Sequence, residues 1–407
     1  MRVLLVLLLL FGGAAANGQR LPAPARLNLA GLYQTQQHAV AEARREGDSL
    51  RLYVRFPRSG GVLQPRQGLR VVAWAGYDAR QPLWQDTVRL RSFVAADAEQ
   101  PPVLDFCVPV AALQSAKMLA VWPGNAMPDH PGTAAWLALT PEVLSRPFVL
   151  TDSSNQPLLR RYLLANEVVQ IDCYGPDRPA TLRRYPADFA PALPPHTNPA
   201  IQGASSRTLT AQAVTKLRPG QWLRITEPGL YTLQVADATP LGLLAQPPGY
   251  PLVRTAPELI EPLRYLSTSA ERERLLRAES PKRAVDQFWL RAAADQQPIA
   301  RQLIRTFYGR VEDANRLFSA HKPGWMTDRG LLYVVLGPPE RVLRTSTEER
   351  WEYNDPVQGG PYVFRPKPST FAAEYYELVR RPEHEWLWFR AVEQWRKGLT
   401  VPQGAAR

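Results

Sequence analysis

The sequence predicts a multidomain protein whose N-terminal regions are mainly β, antiparallel and sandwich-like, followed by a C-terminal α+β domain. Three observations predict this. The 40 prolines in 407 residues, about double the usual share, are scattered among short apolar runs, which suits short strands joined by stiff loops. Residues 49–56 alternate, with Leu50, Leu52, Val54 and Phe56 on one face and Arg51, Tyr53 and Arg55 on the other. Near residue 270 the apolar period lengthens to that of a helix, and strand-like runs return only after residue 330.

In chain order, the first feature is a leader. Arg2, the Leu-rich residues 3–11 and the small residues 12–18 have the form of an export signal peptide, with small-x-small cleavage sites after Ala16 or Gly18. Its apolar stretch is well short of the ~20 residues needed to span a bilayer. No cysteine lies there to carry a lipid. The expectation is an exported chain, periplasmic or extracellular and surface-associated, with no transmembrane span in its mature form and with peripheral membrane contact open. The expected units are a leader at 1–18, a β-sandwich-like domain at 19–145, a second β-rich region at 146–255 and an α+β domain at 256–400.

Residues 28–47 are ambiguous, an extended segment and then a short amphipathic piece. Strands are expected at 49–56, 69–75, 83–93, 103–110, 117–122 and 135–139, and in the second region at 148–151, 167–173, 211–217, 221–226 and 229–235. Pro219-Gly220 and Pro228-Gly229 suggest turns that make 217–226 and 230–235 one meander. Residues 185–199, rich in Pro and Ala, read as a long loop. Whether the two regions form one sandwich or two stays open. So does the state of Cys107 and Cys173: an oxidising compartment permits a disulfide, and two buried free thiols fit equally.

A charged helix is expected at 270–278, and another opens at Pro281 with Val285, Phe288 and Trp289. The clearest helix carries Ile299, Leu303, Phe307, Val311, Ala314 and Phe318 on one stripe, with Arg301, Gln302, Arg305 and Glu312 off it. It stops at Lys322-Pro323-Gly324. The apolar run 331–336 reads as a strand turned by Gly337-Pro338-Pro339, and 350–353, 362–365 and 373–380 complete a small antiparallel sheet. Adjacent Tyr375 and Tyr376 must point to opposite faces of a strand. Trp386, Trp388 and Trp395 sit in a stretch that is helical or extended.

Four quoted pieces carry a resemblance: Arg310, Asn315 and Phe318 in one helix; Gly324-Trp325-Met326-Thr327-Asp328-Arg329-Gly330; Tyr333 through Gly337 to Pro339; and Trp351-Glu352-Tyr353. In this order and spacing, the chain from about residue 259 to 399 resembles the GWxTD domain of exported bacterial proteins. The resemblance implies a protein of that family and no assigned activity. On the residues themselves, 323–330 reads as a helix-to-strand joint. Gly324 would take a left-handed φ, and Trp325 would be the apolar wedge. Thr327 and Asp328 would bond turn backbone. Arg329 would pair with Asp328 or with a carboxylate across the sheet, and Gly330 would admit the chain to the strand. The rival reading gathers Asp328 and Arg329 with Arg310, Asp313 and Asn315 into a site for an anion or a peptide carboxylate.

Chemistry is otherwise sparse. Gly-x-Ser-x-Gly, His-Glu-x-x-His, Cys-x-x-Cys and phosphate-loop patterns are missing, so no catalytic, metal or cofactor-binding residue is nominated and no cofactor is expected. Of the five histidines, His196 and His384 read as solvated, and His321 is the one near the motif. Glu348/Glu349 and Glu383/Glu385 read as exposed turn charges. The net charge of +12 is dispersed rather than gathered into stripes, which points away from nucleic acid. The expected role is a non-enzymatic binding or assembly component of the cell envelope, with an envelope protein or polymer as partner. The alternative is a hydrolase acting on an envelope polymer.

Overall fold

The structure, a computed structural model, describes residues 21, 23–35, 38–57, 68–89, 101–124, 134–198, 200, 208–353 and 361–399. The leader region lies outside them. Two β-sandwiches are followed by an α+β unit, so the N-terminal β regions resolve into two cores rather than one.

The first sandwich pairs β1 (Val40–Glu46), β2 (Ser49–Arg55) and β5 (Leu104–Pro109) in one sheet, ordered β1-β2-β5. Its other sheet, ordered β4-β3-β6-β7, holds β3 (Leu69–Trp74), β4 (Trp84–Val88), β6 (Met118–Pro123) and β7 (Ala135–Ala138). Leu50, Leu52 and Val54 face Leu69, Val71 and Val121 between the sheets, as the alternation requires. The outer face of the four-stranded sheet is also buried, with Val72, Trp74, Met118 and Trp122 in a separate cluster. Burial on both faces explains why β3 and β6 read as continuous apolar runs. The segment left ambiguous contains β1, a hairpin partner of β2 in the register Val40↔Arg55 to Glu46↔Ser49.

The second sandwich has a three-stranded sheet, β13-β10-β8, against a five-stranded one, β12-β11-β14-β15-β9. Its strands are β8 (Phe148–Thr151), β9 (Tyr162–Leu164), β10 (Val168–Cys173), β11 (Ala180–Tyr185), β12 (Ala213–Leu217), β13 (Leu223–Arg224), β14 (Gly229–Val235) and β15 (Leu241–Gln246). The expected meander does not form. β12 pairs with β11, β13 crosses to β10 in the other sheet, and β14 inserts between β11 and β15. Turn signals had marked where the chain bends, not which strand receives it. Cys107 and Cys173 are free thiols, so of the two alternatives the disulfide does not form, but the first thiol is exposed and the second half-buried rather than both buried.

The α+β unit contains α2 (Ala256–Ile260), α3 (Ser269–Arg277), α4 (Pro281–Ala292), α5 (Gln297–Phe318), α6 (Asp328–Leu336) and α7 (His384–Arg396). A short α1 (Pro141–Ser145) precedes β8. The antiparallel sheet β16 (Arg341–Arg344), β17 (Glu349–Glu352), β18 (Tyr362–Pro366), β19 (Tyr376–Leu378) packs on α5 and α6. The stripe of α5 is buried as expected, Ile299 only in part. The Trp-rich C-terminal stretch is helical, and Trp388 and Trp395 enter the core.

A further expectation fails outright: residues 331–336 are not a strand. They form the body of α6, whose nine residues are all buried. A helix enclosed on every side is apolar on every side and loses its 3.6 period. A short run of this kind cannot be told from a buried strand by periodicity. The start signal was present in Thr327, whose Oγ1 accepts from Gly330 N as an N-cap. No helix among the described residues is long and apolar enough to cross a membrane.

Candidate functional site

The motif is a helix-to-helix joint, and its geometry follows from how closely α6 approaches α5. A Cβ on Gly324 would lie 1.9 Å from the Ala314 carbonyl oxygen of α5, and one on Gly330 would lie 1.9 Å from Gly324 O. Both positions therefore exclude any side chain because backbone meets backbone there, and Gly324 does not take the left-handed φ expected from the sequence. Pro323 leads into a single 3-10 turn, Gly324–Met326, which Thr327 closes by donating from N (3.1 Å) and Oγ1 (2.7 Å) to Gly324 O. The same Oγ1 caps α6. Asn315, inside α5, holds the turn from beneath: its Oδ1 accepts from Trp325 N (3.2 Å) and its Nδ2 donates to Pro251 O (3.2 Å). Trp325 is half-buried against the edge of Tyr265 rather than driven into the core.

The far end of α6 is held as firmly. Arg310 is buried and donates to the C-terminal carbonyls of Val334 (3.5 Å) and Val335 (3.2 Å), with its guanidinium 5.3 Å from the Trp395 ring centroid. A cation there meets the negative end of the helix dipole. Burial without a carboxylate partner lowers Arg310 to about 10. Trp395 Nε1 donates to Val335 O (2.8 Å), and Tyr353 Oη donates to Gly337 O (3.0 Å). Gly337 and Pro339 are buried in the turn that delivers β16.

Asp328 and Arg329 do not pair with each other. They leave α6 toward different elements. Asp328 accepts from Leu378 N of β19 (2.8 Å) and makes an ion pair with Arg380 (2.5 Å). Arg329 donates to Glu374 O (2.9 Å) and to Tyr33 Oη (3.2 Å), and lies 3.8 Å from Glu349. Asp313, meanwhile, accepts from Thr35 (3.1 Å), and Asn315 and Arg310 face their own partners. The anion site suggested by these five residues is therefore not assembled.

What the structure does assemble is a buried polar cluster around Glu349. This side chain is 0% exposed. It accepts from Tyr33 Oη (2.6 Å), Arg344 Nε (2.7 Å) and Trp351 Nε1 (2.8 Å). Arg344 also donates to Tyr33 Oη (2.9 Å) and Tyr77 Oη (2.9 Å), and the Arg329 guanidinium lies 4.4 Å from the Tyr376 ring. Burial alone would raise the carboxyl. Arg344 and Arg329, with the bonds from Tyr33 and Trp351, outweigh it and hold Glu349 below its ordinary value. Tyr33 comes from the 3-10 segment Leu29–Tyr33, which packs in the C-terminal core, more than 290 residues before its partners. Asn28 fixes that segment to β16, donating to Glu340 O and accepting from Val342 N, both at 2.9 Å.

The sequence reading missed Tyr33, Arg344, Arg380 and Glu349, and placed Glu349 on an exposed turn. The usable signal was alternation: Glu349, Trp351 and Tyr353 share one face of a strand, so a buried Trp351 implies a buried Glu349. His384 is likewise buried and not solvated, packed 4.5 Å from the Tyr362 ring. His321 lies between Phe189 (4.8 Å) and Tyr375 (4.7 Å), and burial lowers it to about 4. The loop at 186–198 is drawn onto the motif. Lys322 Nζ donates to Ala190 O (2.9 Å), Ala192 N donates to Met326 O (2.8 Å), and Arg380 donates to Leu193 O (3.1 Å).

Residues 229–397 match the GWxTD domain. The chain is a GWxTD domain-containing protein. No curated protein matches the chain. The matched interval begins at β14, so the GWxTD domain is entered from within the second sandwich, and it ends just beyond α7. Each named residue of the pentapeptide has a place in it: Gly324 the close approach, Trp325 the aromatic edge, Thr327 the cap and Asp328 the tie to β19.

Proposed function

We propose that this GWxTD protein is an exported component of the cell envelope that acts by binding or assembly, with no reaction carried out at its motif. The observation that carries this reading is the occupancy of the motif's polar side chains. Asn315, Thr327, Asp328, Arg329 and Arg310 all have internal partners within 3.5 Å and are buried. A group that must take or give a proton to substrate needs reach to it, and these groups face the protein's own backbone and charges. The domain instead clasps three other parts of the chain: the segment around Tyr33, the loop at 186–198 and, through Arg344 to Tyr77, the first sandwich. Such an arrangement fixes two sandwich modules relative to one another, which suits a display or scaffold role.

Export is supported by the leader-like residues 1–18. The test is fractionation of the native cell with N-terminal sequencing of the recovered chain, followed by crosslinking capture from the envelope fraction. A mature chain starting at Asn17 or Gln19, with an envelope protein or polymer crosslinked to it, is the expected result. An unprocessed chain in the cytoplasm would overturn the proposal.

A further inference from the structure

The second sandwich is built from unequal sheets, five strands facing three. Where the smaller sheet ends, the inner face of the larger one is uncovered. On that face Leu182, Leu233 and Val235 are core residues, whereas Ala213 and Thr215 of β12 are exposed. The result is a cleft of about 310 Å³ between β12 and the segment carrying β13. That volume is at the lower end of the range for small-ligand sites, roughly 300–1,000 Å³.

The lining is not that of an unfinished core. Trp222 stands in the wall with 43% of its surface exposed. Tyr231 forms part of the floor, its hydroxyl donating to Glu227 O (2.8 Å). Arg184 and Glu227 make an ion pair at the rim, and Arg224 and Thr215 complete the polar side. An exposed indole offers a flat apolar face, and the ion pair offers donors and acceptors side by side. A pyranose matches both, with an apolar C–H face for stacking and hydroxyls that donate and accept. Among the lining residues Glu227 is taken by Arg184, and Arg224, whose Nε donates to Asn166 O (3.3 Å), makes no ion pair among the described residues, so its Nη groups are a positive charge that a sugar carboxylate would satisfy.

An extended peptide adding to the sheet edge is the rival occupant. It would pair with the outer edge of β12, the terminal strand of this sheet among the described residues. The cleft, however, is lined by Ala213, Thr215 and Leu217, alternate residues on one face, so an occupant meets side chains and not that edge.

We infer that this cleft of the second sandwich is a binding site for a saccharide carrying a carboxylate, with Trp222 as the stacking platform and Arg224 as the carboxylate's partner. The site is separate from the GWxTD motif and goes beyond the function proposed above, because binding by the purified chain does not depend on where the cell places it. The experiment is calorimetric titration of the full chain with trigalacturonate and with neutral maltotriose, for wild type, Trp222→Ala and Arg224→Gln. Both side chains are exposed, so thermal melts of the variants should match wild type. Wild type should bind trigalacturonate more tightly than maltotriose, Trp222→Ala should weaken both about tenfold or more, and Arg224→Gln should remove the preference. Absence of binding to either sugar, binding unaffected by Trp222→Ala, or equal binding of the two sugars by wild type would overturn the inference. Capture of an extended peptide at this cleft with both sugars inert would do so as well.

Discussion

Glu349→Gln is the most informative perturbation of the buried cluster, because it preserves shape and removes one charge. The wild-type carboxylate is fully buried and accepts from Tyr33, Arg344 and Trp351 at 2.6–2.8 Å. An amide in its place turns an NH2 group toward donors that need an acceptor. It also takes from the buried Arg329 and Arg344 the carboxylate they share, leaving Glu374, which is also paired with Arg161, as the nearby counter-charge. Breaking a buried ion pair from one side costs about 3–5 kcal/mol. Two lost charge-assisted bonds at ~1.5–3 kcal/mol each give a similar figure. Urea unfolding of both proteins, compared at equal m-value, reads the difference. A loss below about 1 kcal/mol would refute the claim that this cluster holds the N-terminal segment to the GWxTD domain.

The pH dependence supplies an independent arm. Glu349 is depressed in the folded state, so its contribution is present above the unfolded carboxyl value, near ~4.3, and is lost as pH falls through the lower folded value. Wild type should therefore lose stability on that acid limb, and Glu349→Gln should show a shallower decline.

Two further variants probe the joint itself. Thr327→Ala removes the N-cap of α6 and the bond to Gly324 O, and should cost about 1–2 kcal/mol in the same unfolding assay. Gly324→Ala places a methyl group 1.9 Å from the Ala314 carbonyl oxygen, against α5 backbone that cannot give way as a side chain could. It should prevent recovery of soluble, cooperatively melting protein, whereas Gly309→Ala, on α5 with open space at its Cβ position, should be tolerated.

How much of this was legible depended on whether a residue's environment is local. The alternation of Leu50, Leu52 and Val54 declared β2, and the stripe from Leu303 to Phe318 declared α5, because each buries one face more deeply than the other. α6 was illegible as a helix because it has no wet face. Of the two partners expected for Arg329, a carboxylate is found, but Arg329 reaches it from a helix and not across the sheet, and its identity depended on β17 lying beside Tyr33, a contact spanning more than 300 residues. Asp328 finds Arg380 in the same non-local way. Periodicity carries no information on such pairings, nor on which sheet receives β12 and β13.

The central claim is that the GWxTD pentapeptide is a structural joint, and Asp328→Asn tests it most directly. Asp328 is 4% exposed and ties α6 to β19 through Leu378 N and Arg380. Thermal melting should be measured beside capture of envelope partners by the same preparation. The account predicts a lowered melting temperature, with capture falling only as far as the folded fraction falls. An unchanged melting temperature with capture lost would contradict it and make Asp328 part of a binding site.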